Sequence, residues 1–234
     1  MRTLFASATI LFLAWAASAR ADGLIYQLPE DGTWATFELS GTGKTDDKDE
    51  KLTGTVRVAL VGSATVKKEP CRWIEVAFEG KSEQETEKTK VVVKALVPEK
   101  FLKKGETPVD HVVRSWIRTE DAKPKKLKEF KDIHASPLPM VLAGPLKDAK
   151  QLDETVLESK LGKLPCAGVA GQLEFKSAEG EAESVKVETR LNAKAPFGVV
   201  AARWILDSKD EKATFDLKLV DFGDKAKSEL PDQQ

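Results

Sequence analysis

Histidine, cysteine and tyrosine are scarce in this 234-residue chain, at 2, 2 and 1 residues. A zinc centre of the usual nitrogen and sulfur type takes three or four protein ligands, so nearly all of His111, His134, Cys71 and Cys166 would have to converge, and they are scattered. An excess of charge is missing too. The 37 Lys and Arg residues face 38 Asp and Glu, a net charge of -1, so no global basic field gathers phosphates, and nucleic acid is disfavoured as a partner. Gly41-Thr42-Gly43-Lys44 lacks the second half of a phosphate-binding loop and leads into charge rather than a helix. The Gly-x-Ser-x-Gly nucleophile elbow of α/β-hydrolases is also absent. After the first 17 residues no apolar run approaches the roughly 20 residues of a spanning helix. The inventory assigns no catalytic residue, metal ligand set or cofactor.

What is present is enough apolar residue, 41%, to exclude disorder, together with 32% charge, above the roughly 25% of an average globular chain. Residues 1–21 order as a secretory signal peptide: one early charge at Arg2, an apolar run from Leu4 to Ala17, then Ala19-Arg20-Ala21 as the small-x-small end. Cleavage after Ala21 would leave 213 residues starting at Asp22, with a charge of -3 once Arg2 and Arg20 are gone. No Cys stands at that point to take a lipid, so a soluble secreted or periplasmic protein is expected, without a transmembrane segment after cleavage. An oxidising compartment lets thiols pair. Cys71 and Cys166 each open an expected strand and are candidates for one disulfide, the alternative being two separately buried small hydrophobes. Closing that 95-residue loop would contribute roughly 4 kcal/mol in the chain-entropy model.

From Trp34 onward the apolar pattern has period two, the mark of strands with one buried face. Trp34 to Leu39 alternates. Val56, Val58 and Leu60 share a face, as do Ile74, Val76 and Phe78. Gly41 to Lys51, without an apolar residue in its Gly, Thr, Lys and Asp run, reads as a long hairpin loop. Lys88 to Val97 is nearly continuous in Val, Ala and Leu and is expected to be covered on both faces. Ser184 to Ala193, Phe197 to Leu206 and Lys212 to Val220 return to strands, and a hairpin turns near Gly162, although Lys147 to Leu157 could instead begin with a helical turn.

Between the strand groups the period becomes helical. Thr107-Pro108-Val109-Asp110 is a helix start signal, and Val109, Val112, Val113, Trp116 and Ile117 follow as one stripe, with His111 on the polar face. A helix over Pro108 to Arg118 is therefore expected, with a shorter one at Glu99 to Lys104. Lys123, Lys125, Lys126, Lys128 and Lys131 form a basic connector, read as a solvated loop. Ser136 to Pro145 carries Pro137, Pro139 and Pro145, which deny it a regular element, while Leu138, Met140, Val141 and Leu142 need burial. This loop is a candidate apolar lid.

These elements predict a mainly β (α+β) fold: residues 22–222 as a single domain, a curved, half-barrel-like antiparallel sheet with one or two helices on one side, and residues 223–234 as a loose polar tail. The outline resembles, at the level of fold, the half-barrel of periplasmic lipoprotein-carrier and lipid-binding proteins. A non-catalytic protein holding an apolar small molecule or lipid, or a protein partner, is the leading expectation. Two others stand beside it: a hydrolase assembled from scattered acids and His134, and a structural envelope component. Asp132, His134 and Ser136 do not make a triad by adjacency, because triad members converge from separate elements.

Overall fold

A computed structural model describes residues 23–45, 48–84, 87–103, 105–127, 132, 136–176, 182–207 and 212–230. The expected signal peptide lies outside the described residues. Eleven strands form one unclosed, curved antiparallel sheet: β1 (Trp34–Thr45), β2 (Lys48–Val66), β3 (Glu69–Ser82), β4 (Thr89–Pro98), β5 (Arg114–Thr119), β6 (Lys125–Leu127), β7 (Lys147–Ser159), β8 (Gly162–Lys176), β9 (Ala182–Leu191), β10 (Val199–Asp207) and β11 (Lys212–Gly223). In space the order is β6-β5-β4-β3-β2-β1-β11-β10-β9-β8-β7. Two meanders are thus joined where β1 pairs with β11, from Trp34 opposite Gly223 to Lys44 opposite Lys212. The two sheet edges, β6 and β7, are consecutive in the chain. The segment between them holds the α-helical turn α1 (Leu138–Val141).

The period-two patterns place one apolar face inward. Phe37, Leu39, Val56, Val58, Leu60, Ile74 and Val76 are buried in a single cluster with Val187, Val199, Leu217 and Leu219 from the other meander. The concave side is also filled by two segments outside the sheet. Leu24 and Ile25 enter it ahead of β1, and Leu138, Val141 and Leu142 enter it from the edge-to-edge segment. Gly23 lies so close to that segment that a Cβ there would stand 2.4 Å from the Val141 carbonyl oxygen.

Several expectations are corrected. The polar run Gly41 to Lys51 is not a long loop, since β1 and β2 pair through it as far as Thr45 and Lys48. Ladder hydrogen bonds use the backbone, and polar side chains beyond the core do not end them. The helix expected over Pro108 to Arg118 is a 3-10 turn, Pro108–His111, followed by β5. Val112, Val113, Trp116 and Ile117 are β-branched or aromatic and fit a pleated surface, and the edge of β4 offers a ladder that a helix would leave unpaired. Ile117 then packs inward while Trp116 lies in a separate outer cluster. Glu99–Phe101 is likewise a 3-10 turn, and the helical alternative at Lys147 gives way to β7. Pro139 is accommodated in the first turn of α1, where no helical N–H partner is lost.

The tail is not loose over its described part. Ala226 N–H donates to the Gly32 carbonyl at 2.7 Å, and Leu230 is 1% exposed against the outer face of β3 to β5. This explains why β4 is buried continuously from Val92 to Pro98, as its two-faced composition required.

The expected disulfide is absent. Cys71 and Cys166 are free and buried. They sit on β3 and β8 with β2, β1, β11, β10 and β9 between them, roughly 29 Å along the sheet at about 4.8 Å per strand, against the roughly 7 Å limit between bridged Cα atoms. Burial pushes both thiols up from their ordinary value. Each instead donates to the carbonyl two residues back, Glu69 at 3.5 Å and Leu164 at 3.4 Å. Thiol titration should therefore count two free cysteines per chain after unfolding and almost none in the native protein at neutral pH, with a thermal midpoint indifferent to reductant. A peptide linking Cys71 to Cys166 in a non-reducing digest would contradict this.

Candidate apolar cleft

Register across four strand pairs sets the site. Val187, Trp204, Phe215, Gly41 and Leu52 lie directly opposite one another in succession on β9, β10, β11, β1 and β2. Directly opposed residues of antiparallel strands share a face, so this is one inward row. Its large members need room that the sequence supplies with glycine: a Cβ on Gly41 would stand 2.8 Å from the Phe215 ring, and one on Gly80 would stand 2.8 Å from the ring of Phe78. Both rings can therefore lie over neighbouring backbone rather than projecting across the concave space.

Two apolar cavities open off this row, on either side of Met140. One, of about 200 Å³, is bounded by Leu173, Val185 and Leu206 with Pro139 and Ser136. The other, of about 240 Å³, is bounded by Leu39, Leu52, Val56 and Phe78 with Leu24 and Val141. Met140, Trp204 and Phe215 line both. In α1, Leu138, Val141 and Leu142 recur at helical i, i+3 and i+4 spacing and are at most 1% exposed. Met140 falls off that stripe and is half-buried. Of the four candidate lid residues, Leu138, Val141 and Leu142 thus form a buried plug, with Val141 also edging the second cavity, and Met140 faces both cavities. The plug is held at both ends: Leu142 N–H donates to the Leu138 carbonyl at 2.7 Å, and its own carbonyl accepts from Val109 N–H at 3.3 Å. A methionine is suited to a divider, having an unbranched chain with three rotatable bonds.

The cavities lie toward the end of the sheet where β1, β3, β8 and β10 finish. A polar depression of about 520 Å³ adjoins them there and shares Leu206 with the first cavity. Its charges are mixed, Lys44, Lys51 and Lys212 with Glu50 and Asp207, and Lys212 pairs with Asp207 at 3.4 Å. Farther along the same end, Lys88 at 2.9 Å holds the Glu79 carboxyl below its ordinary value. This mixture gives the mouth no dominant sign.

Of the residues weighed for catalysis, only some are described. His111 stacks on Phe101, ring centroids 3.5 Å apart and 8° from parallel, and lines neither cavity. His134, Lys128 and Lys131 lie outside the described residues. The Ser136 hydroxyl accepts the Leu138 N–H at 3.3 Å, a local turn contact. Among the described residues no three His, Cys, Asp or Glu side chains are grouped to hold a metal, and no helix is long and apolar enough to cross a membrane. The period-two pattern puts Phe78 on one face with Ile74 and Val76 but does not single out Trp204, whose position emerges only from its register with Phe215.

No protein-family model matches the chain, and no characterised protein matches its sequence. Solved structures resemble it in outline. A Bacteroides fragilis protein with a YmcC-like fold is 10% identical with a TM-score of 0.36, over 88% of this chain and 99% of that one. A DUF1329 family protein from Desulfovibrio piger is 9% identical with a TM-score of 0.34, over 80% and 84%. A β-barrel-like protein of domain of unknown function DUF1849 from Brucella abortus is 10% identical with a TM-score of 0.28, over 83% and 98%.

The division of α1 into plug and divider is testable by denaturation. Leu142→Ala should destabilise by about 2 to 5 kcal/mol, as deletion of a fully buried leucine does. Met140→Ala, removing a side chain that borders existing cavities, should cost under about 1.5 kcal/mol. Equal losses in urea titrations would mean that Met140 is core.

Proposed function

We propose that the protein is a non-catalytic, extracytoplasmic binding protein that takes an apolar small molecule or a lipid chain into the clefts beside Met140. The carrying observation is that two apolar cavities, about 200 and 240 Å³, meet at Met140, Trp204 and Phe215. An apolar cavity of about 150 Å³ stays dry and accepts a benzene-sized guest, so each cleft by itself is large enough, and displacement of the Met140 side chain joins them into a longer slot. A non-polar ligand gains there what it loses in water, and no ionic partner in the walls penalises it. The extracytoplasmic setting is supported by the leader-like pattern of residues 1–21.

The test uses N-phenylnaphthylamine with the native chain. Its emission should rise saturably and quench Trp204, and Trp204→Phe should remove that quenching. Met140→Asp, which sets a carboxylate between the clefts, should weaken uptake by about tenfold or more while leaving the thermal transition in place. No uptake by the native protein, with Met140→Asp unfolding it, would identify α1 as a permanent plug and end the proposal.

A further inference from the structure

The convex face of the sheet carries two charged residues where solvent would be expected, yet Glu75 on β3 and Lys94 on β4 are each 1% exposed. They are directly opposed across the strands, and both are covered by the chain's own tail. The Glu75 carboxylate accepts the Ser228 hydroxyl at 2.6 Å, the Glu229 N–H at 2.9 Å and the Leu230 N–H at 3.1 Å. Lys94 Nζ donates to the Leu230 carbonyl at 3.3 Å and stands 5.0 Å over the Trp73 ring. The Glu229 carboxylate meets Lys90 at 2.6 Å and Arg118 Nη2 at 3.2 Å. The Leu230 side chain enters the outer cluster of Trp73, Ala77, Val92 and Trp116, where the two indoles stand 5.4 Å apart.

Every element of this recognition is local to Ser228-Glu229-Leu230: one hydroxyl, two main-chain donors, the Leu230 carbonyl, the Glu229 carbonyl, which accepts from Arg118 Nη1 at 3.1 Å, one acidic side chain and one aliphatic side chain. None depends on the covalent link to β11. Glu75 and Lys94 oppose each other across the ladder, and the tail's main-chain groups complete their hydrogen bonding while it excludes water; another segment of this chemistry would satisfy the same groups. The tail also fits it incompletely. Arg118 Nε is buried and has no acceptor among the described residues, although guanidinium groups bind carboxylates best through two parallel bonds. The tail reaches the socket at Ser228, only five residues after β11 ends at Gly223, and is pinned on the way at Ala226. An untethered segment escapes that constraint and can set a carboxylate across both Nε and Nη2.

We propose that the outer face of β3 to β5 is a docking site for an extended segment of a partner protein carrying an acidic residue followed by an aliphatic one, and that the C-terminal tail occupies it in cis as a displaceable strap. The partner's backbone N–H groups fall on Glu75, its acidic side chain on Lys90 and Arg118, and its aliphatic side chain between Trp73 and Trp116. This site lies on the opposite face of the sheet from the apolar clefts and is independent of what they hold.

The test uses the full chain with its strap released by the double substitution Glu229→Lys and Leu230→Ser, and a synthetic peptide of the native residues 224–234 as probe. Released protein should bind the peptide saturably, read by the fluorescence of Trp73 and Trp116, and the unmodified chain should bind it about tenfold or more weakly because its own tail competes at high effective concentration. Adding Arg118→Gln to the released protein should abolish binding, whereas a scrambled peptide should not bind at all. In the unmodified chain, the Glu229 and Leu230 amides should exchange with deuterium faster than those of β3 and β4. A folded released variant that ignores the peptide, or binding equal in both proteins, would overturn the proposal. So would loss of cooperative folding on release, or exchange of those two amides only with global unfolding, either of which would make the tail an integral part of the fold. Concentration-dependent dimers of the unmodified chain that vanish in the released variant would assign the socket to a second copy and overturn the partner reading.

Discussion

The pairing of β1 with β11 is the constraint on which the rest of the molecule depends. It joins two meanders that are separate in the sequence into one eleven-stranded sheet. It also leaves the two edges, β6 and β7, as neighbours along the chain rather than in space. The segment between them must therefore travel from one edge to the other, and the concave side is its buried route. The apolar plug of α1 is in this sense a consequence of topology. A sheet closed into a barrel would have needed no such segment, and an open sheet without one would have exposed its inner face.

The same pairing sets the site. Trp204, Phe215, Gly41 and Leu52 come from strands that straddle the junction of the meanders, and only the register of β1 against β11 puts them in one row. Glycines at the crowded positions let the aromatic rings lie along the sheet, and the volume so released is not refilled. Natural interiors are close-packed, so two adjoining apolar cavities beside a half-buried methionine are a departure from the usual economy of a core. That departure is the physical basis of the binding reading.

On the convex face the arrangement is reversed. There the sheet is covered by a polar strap whose main-chain groups satisfy a buried carboxylate and a buried ammonium. Apolar contact between Leu230 and the paired tryptophans excludes water from these interactions and so strengthens them. The half of the sheet formed by β3 to β5 is thereby buried on both sides, while β7 at the other edge remains largely exposed along its length.

Much of the sheet could be read before any coordinates. The alternation at Val56, Val58 and Leu60, the continuous apolar run of β4 and the inward faces of Ile74, Val76 and Phe78 follow from a side-chain period of two, which needs no partner to be seen. The proline-rich apolar segment announced that it needed burial without a place in a ladder. The stretch after Pro108 misled, because Val109, Val112, Val113, Trp116 and Ile117 satisfy a helical stripe, and only the free edge of β4 decided for a strand. The cysteines misled for a related reason: the leader-like pattern of residues 1–21 argues for an oxidising compartment and hence for pairing, but five strands lie between them. Local pattern and composition by themselves determined the class of fold, its inward faces and the need to bury Leu138 to Leu142. Tertiary structure alone decided which strands meet, that Met140 divides two cavities, and that a polar tail is held by Glu75 and Lys94. Those outcomes rest on contacts between residues far apart in the chain, and periodicity carries no information about register across such distances.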